Sequence, residues 1–232
     1  IRRIAGHLNK KSIPLANEDG NGPTRLSFGK VKTLGTIEED EPETAGHAGR
    51  AHAVLSASSA HRWLNCTPAP RLEEQYPDSS SDAAAEGTAA HELAEHKLRN
   101  LQGLPSTLTS TDWISEEMDD YTDDYVDNVV AELDRAQKSS PAAFLAIEQR
   151  LDFSHIVPDG FGTGDALIVG DGTMTVIDLK YGKGVEVSAV GNPQMRLYAL
   201  GALTQFGMIY NIDQVRMVIC LLYTSDAADD SL

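Results

Sequence analysis

Cysteine is almost missing from this 232-residue chain. Cys66 and Cys220 are its only two, too few for a disulfide scaffold and suited to a reducing compartment. Long apolar runs are missing too: no stretch of roughly 18 apolar residues occurs, so no membrane span is expected. No secretory signal is visible in the stretch that begins at Ile1. Positive charge is scarce, with 19 basic against 35 acidic residues and a net charge of -16. That balance argues against a nucleic-acid partner held by a broadly basic surface. It leaves room for a site that gathers carboxylates around a metal ion, because the ion's charge inverts the local electrostatics.

What is present is 41% apolar residues, enough for one globular domain with a core and a tail. Residues 1–47 carry Gly, Pro, Asn and the run Glu38-Glu39-Asp40-Glu41 without periodicity, and read as a disordered or linker-like extension. At the other end, "CLLYTSDAADD" (220–230) resembles a translated sequencing adapter. The native sequence is therefore expected to end near Ile219, leaving 48–219 as a C-terminally truncated domain, 220–232 as a non-native tail and Cys220 outside the native residues.

Between these ends, periodicity predicts helices over 83–100, behind the cap candidates Ser81 and Asp82, and over 115–138. A strand is expected at 143–153, with Leu145, Ile147 and Gln149 on one face and Ala146, Glu148 and Arg150 on the other. Strands at 163–170 and 173–180, a short strand at 185–189, a helix at 192–207 and a strand at 214–219 follow. This order predicts a mixed sheet flanked by helices, an α/β or α+β domain.

The stretch "GTGDALIVGDGTMTVIDLK" (162–180) reads as a hairpin around Asp171-Gly172, where a type I′ turn needs positive φ at both residues. Gly170 would then pair with Thr173, and Asp165 would lie opposite Asp178. Like charges directly opposite are destabilising, and their Cβ atoms would be only about 4.5–5.5 Å apart. Lys180 projects from the Asp178 face. On a surface hairpin such a pair is tolerated in water. Here Ala166, Ile168, Val176, Ile177 and Leu179 imply strands packed on both faces, where unpaired carboxylates are costly. A divalent cation between them would remove that cost.

An Asp, a short hairpin and then Asp-x-Lys is similar to the signature of the PD-(D/E)xK nuclease superfamily. "NPQMRLY", with Gln194 and Tyr198, resembles the Q-x-x-x-Y helix of its RecB-like branch, and "EGTAAHELAEHKL" supplies His91 where that branch places a metal-binding histidine. "LSASSAHRWLNC" resembles the opening of a phage and prophage family of RecB-like proteins catalogued as a domain of unknown function. The resemblance runs from about Leu55 to Ile219 and implies a restriction-endonuclease-like core.

By that resemblance, His91, Asp165 and Asp178 would be side-chain metal ligands, joined by the Leu179 carbonyl. Oxygen ligands suit Mg²⁺, and the imidazole admits Mn²⁺. Asp165, Asp178 and Lys180 would be catalytic, Lys180 positioning water or neutralising charge on phosphorus. Glu95 shares the His91 face and would orient the imidazole, whereas Glu86 and Glu92 are expected to face solvent. Gln194 and Tyr198 would contact DNA or buttress the site, or simply pack. Glu148 either leans toward the site or belongs to a solvated strand face. His61, Arg62 and Trp63 would touch a DNA strand, unless Trp63 packs into the core. Cys66 matches the first of four cysteines that hold a [4Fe–4S] cluster in several RecB-like nucleases, which the resemblance implies for a full-length protein alone.

The implied function is a metal-dependent DNA nuclease, an exonuclease of phage or prophage recombination or replication, with linear DNA ends and phage recombination or helicase proteins as expected partners in the bacterial cytoplasm and no membrane association. The alternative is a catalytically inactive nucleic-acid-binding or scaffold protein of the same fold. "HELAEH" also suggests a zinc peptidase, but His91 and His96 stand roughly 140° apart around a helix, so they cannot chelate one ion in the manner of histidines four apart.

Overall fold

The computed structural model describes residues 53–76, 81–182 and 187–222, together with the backbone of two short strands, β1 (Leu15–Ala16) and β2 (Pro23–Thr24). These two pair antiparallel, Leu15 with Thr24 and Ala16 with Pro23. The rest of the N-terminal 47 residues, and residues 223–232, lie outside the described residues. No helix among the described residues is long and apolar enough to cross a membrane.

Two short helices, α1 (Ala60–Asn65) and α2 (Ala69–Glu73), precede the long helices α3 (Asp82–Gln102) and α4 (Glu116–Ser139). Their ends follow local chemistry. The Ser81 hydroxyl accepts from the Ala84 N–H and Ser115 from the Met118 N–H, at 3.2 and 3.1 Å, satisfying donors that have no partner inside a helix. α3 stops at Gly103, whose φ of 71° few other residues adopt cheaply. Asn192 caps α5 (Pro193–Phe206), where Pro193 occupies a position that needs no N–H.

Strands β3 (Phe144–Asp152), β4 (Phe161–Val169), β5 (Gly172–Tyr181) and β6 (Ile212–Leu222) form one sheet in that order. The first two junctions are antiparallel and β5/β6 is parallel, with α5 as the crossover. The sheet is therefore mixed. Met195, Leu197 and Ala202 of α5 pack with Leu167, Val169, Met174 and Val176 on one face. Leu98 of α3 and Tyr125, Val129 and Leu133 of α4 pack with Ala166, Ile168, Ile177 and Leu179 on the other. β4 and β5 are thus covered on both sides, the condition under which their carboxylates need partners.

Four expectations are revised. The hairpin register is as anticipated from Ala166/Ile177 to Val169/Met174, but Gly170 and Thr173 do not pair and only Gly172 has positive φ, 86°. The turn is not type I′ because Asp171 is drawn into tertiary contacts, its N–H donating to Ser140 Oγ at 3.1 Å. Of the strand expected at 185–189, residues 185–186 lie outside the described residues and 187–189 form no strand. β6 continues past Ile219 through Leu222, since Lys180 and Tyr181 of β5 offer pairing partners to Leu221 and Leu222. Finally, the facing of β3 changes midway. Leu145 and Ile147 pack toward α3 and α4, yet Leu151 and Phe153 pack toward α5. Glu148, with a φ of 48°, stands between them.

Candidate metal centre

Positive φ is rare and costly for a residue with a Cβ, so its occurrence in mid-strand at Glu148 directs attention there. The β3/β4 ladder pairs Ile147 with Ala166 and Gln149 with Gly164, skipping Glu148 and the residue across from it, Asp165. β4 changes facing at the same point. Ala166 belongs to the α3/α4 side, whereas a Cβ on Gly164 would meet Leu151 and Leu167 of the α5 side. The paired irregularity lets Glu148 and Asp165 both line a cleft against α3, together with His91, Ala94, Glu95, Leu98, Tyr125 and Leu179.

One ligand atom each of His91, Glu148 and Asp165 lies within 4.8 Å of the others. His91 Nδ1 is 3.3 Å from Asp165 Oδ1. The other oxygen, Oδ2, accepts the Leu179 N–H at 2.7 Å, which fixes the carboxylate. An imidazole nitrogen and two carboxylates make a donor set suited to Mn²⁺ or Mg²⁺, so these residues fit a divalent cation.

The expected ligands are therefore only partly brought together. His91 and Asp165 converge, but the third member is Glu148, not Asp178. Asp178, 2% exposed, is claimed by other partners. Its Oδ1 accepts from Gln194 Nε2 at 2.9 Å, and its Oδ2 meets Lys180 Nζ at 2.6 Å as an ion pair without a hydrogen bond aligned on it. The Leu179 backbone contributes its N–H to Asp165. Of the two readings the sequence leaves for Glu148, the one that leans toward the site holds: strict period two would place it away from α3, and the positive φ turns it there.

Electrostatics mark the same group. Burial, then the Asp165 charge, raises the Glu148 carboxyl to about 8. Burial and then Asp165 also push Asp178 upward, against the pull of Lys180 and His91. For His91, burial favours the neutral ring, but attraction and hydrogen bonding to Asp165 outweigh it and the pKa is raised. Carboxyls that resist ionisation when empty-handed are what a cation would relieve.

Around this centre the support is specific. Gln194 Nε2 also donates to Tyr198 Oη at 3.2 Å, so both residues of the α5 motif buttress Asp178. Tyr198 is 5% exposed and lies so close to β4 that a Cβ on Gly162 would stand 2.7 Å from its ring. Glu95 lines the cleft, but its Oε1 accepts from Arg99 Nε at 2.5 Å, so it is engaged one turn onward and not with His91. Glu92 lies at the surface, as expected, where it accepts from the Thr109 N–H and hydroxyl and the Ser110 N–H. Hydrogen bonding, that of the Ser110 side chain foremost, holds its carboxyl near 2 against a smaller opposing effect of burial. His96 lies between Asn100 and Ser106, 2.9 and 2.8 Å away, and takes no part in the His91 cluster.

The "HRW" residues of α1 divide. Trp63 Nε1 donates to Ser56 O at 2.9 Å and the ring packs against the α5-side core, so core packing prevails over stacking on a strand. His61 is exposed, and Arg62 pairs with Glu73 at 3.4 Å. Cys66 is exposed and Cys220 half-buried, with Cys220 Sγ 3.7 Å from Asn128 Oδ1. Two thiols cannot complete a four-cysteine cluster, so this chain does not fit an iron–sulfur group.

Fold and cleft together define a mixed α/β protein whose histidine and carboxylates meet between a helix and a kinked strand pair. The sequence profile of a family described as "Protein of unknown function (DUF2800)" matches residues 52–222, and the chain belongs to that family. No solved structure matches it.

Proposed function

We propose that the protein is a metal-dependent deoxyribonuclease of the RecB-like PD-(D/E)xK type, acting on linear DNA in phage or prophage recombination or replication. The observation that carries this reading is the meeting of His91, Glu148 and Asp165 within 4.8 Å, on a hairpin that also presents the Asp178–Lys180 pair at 2.6 Å. His91, Glu148 and Asp165 would hold Mg²⁺ or Mn²⁺. When bound, such an ion acidifies water and offsets charge on a scissile phosphate.

The chain's own residues supply the rest. Lys180, about one-third exposed, is placed to meet a phosphate oxygen with a cation. Gln194 and Tyr198 keep Asp178 and hence Lys180 in position. In the reaction, water attacks phosphorus and the bond to the leaving sugar oxygen breaks, giving a phosphomonoester and a free hydroxyl. The net charge of -16 is compatible with this, because binding relies on local positive charge and not on a basic surface.

Hydrolysis of end-labelled linear DNA with Mn²⁺, with Mg²⁺ and with EDTA tests the proposal. Cleavage that needs the ion and disappears in Asp165→Asn, with the variant shown folded by circular dichroism, supports it. A folded protein that binds DNA but cleaves with neither ion would be the inactive binding protein instead.

A further inference from the structure

Tyr125 stands on α4, 1% exposed, and its hydroxyl has no hydrogen-bond partner. Leaving a buried hydroxyl unpaired costs about 1–3 kcal/mol, so native proteins rarely keep one without use. The ring is packed with Leu98, Ile168 and Leu179, which holds the hydroxyl in place. It lines the same cleft as His91, Glu148 and Asp165. Glu148 is the complementary group. His91 and Asp165 hold each other at 3.3 Å, and Asp165 has the Leu179 N–H besides. The Glu148 carboxylate has no such donor among the described residues, although its strained backbone aims it into the cleft.

We propose that Tyr125 is a positioning residue of the metal centre, its hydroxyl donating to the Glu148 carboxylate and holding it in the orientation that binds a divalent cation. Glu148 is the member that moves: its flexible side chain adjusts while the packed ring does not. A phenol O–H is a hydrogen-bond donor at neutral pH. A ligand that donates or accepts one bond behind the metal is tuned in this way in many sites, and losing the outer partner costs about 10–100-fold in affinity. The proposal rests on the cation-binding reading above, not on catalysis.

Tyr125→Phe removes one oxygen and little else. Mn²⁺ binding is measured by titration calorimetry and by the Mn²⁺ electron paramagnetic resonance signal, and thermal unfolding is followed in EDTA. The expected result is Mn²⁺ affinity about tenfold weaker with unfolding in EDTA unchanged or at higher temperature, since an unpaired buried hydroxyl has gone. In a Glu148→Ala background the same substitution should change nothing further. Unchanged Mn²⁺ affinity in Tyr125→Phe, or an equal loss in the Glu148→Ala background, would overturn the role of Tyr125 while leaving the metal centre standing. No Mn²⁺ binding by the unaltered full chain would overturn the centre and this inference with it.

Discussion

Asp178 shows how much a single side chain depends on its neighbours. It is buried beside another carboxylate and is kept by Gln194 and Lys180. Removing one partner of a buried pair costs about 3–5 kcal/mol because the remaining charge is uncompensated. Lys180→Met should therefore destabilise strongly in urea unfolding, and adding Asp178→Asn should recover most of the loss. If the double variant were as unstable as the single one, the ion pair would not be the reason. Gln194→Leu removes one hydrogen bond to a charged group and should cost about 1.5–3 kcal/mol. Gln194→Glu, which sets a carboxylate against Asp178, should cost more. Asp165, Asp178 and Lys180 were legible in the sequence because alternation along a hairpin is a local property, whereas His91, Gln194 and Tyr198 were marked by the family resemblance. Glu148 was legible only as one of two readings, since a left-handed φ within a strand leaves no mark in composition.

At the scale of elements, the kink shared by β3 and β4 is the decisive feature. A non-glycine residue in the left-handed region costs about 1 kcal/mol or more. Glu148→Gly should therefore leave the chain equally or more stable by about that amount while weakening Mn²⁺ binding. A stability loss comparable to a buried-residue deletion would instead mean that Glu148 serves packing. The contact of α5 with β4 is equally exacting, because a methyl group on Gly162 would stand 2.7 Å from the Tyr198 ring. Gly162→Ala should cost about 1–3 kcal/mol through overpacking and displace Tyr198 from Gln194, a shift visible in the crystal structure of the variant. The three long helices were readable to within two residues, because serine caps and apolar periodicity are local; the short α1 and α2 were not. The hairpin register was readable too. Its turn type was not, because Ser140, from the far end of α4, competes for the Asp171 N–H.

For the whole molecule, the centre sets the pH dependence. The folded chain binds protons more tightly than the unfolded chain at Glu148, raised from 4.5 to about 8, and at Asp178 and His91, both also raised. Each contributes stability that is complete below its unfolded pKa and lost as pH rises through its folded one. In EDTA, unfolding free energy should therefore fall between about pH 4.5 and 8, by an amount on the order of a few kcal/mol. Mn²⁺ should reverse the trend, since the ion competes with those protons. A flat profile in EDTA would mean that these groups are better solvated than their burial implies. Glu92 acts oppositely: its carboxyl, held near 2, gives stability that is present above its ordinary pKa and disappears only in strong acid.

The amino-acid sequence already held the ends of the three long helices, the hairpin register and the face shared by Asp178 and Lys180, and a family resemblance marked the α5 motif beside them. The first three follow from capping, periodicity and alternation, all of which operate over a few residues. Which carboxylate joins His91 and Asp165 was settled by long-range packing. Covering both faces of β4 and β5 buries Asp178 against Lys180 and Gln194, and the kink across β3 and β4 turns Glu148 toward α3. Charge placement in a low-dielectric interior depends on neighbours distant in the chain, and no local pattern encodes them.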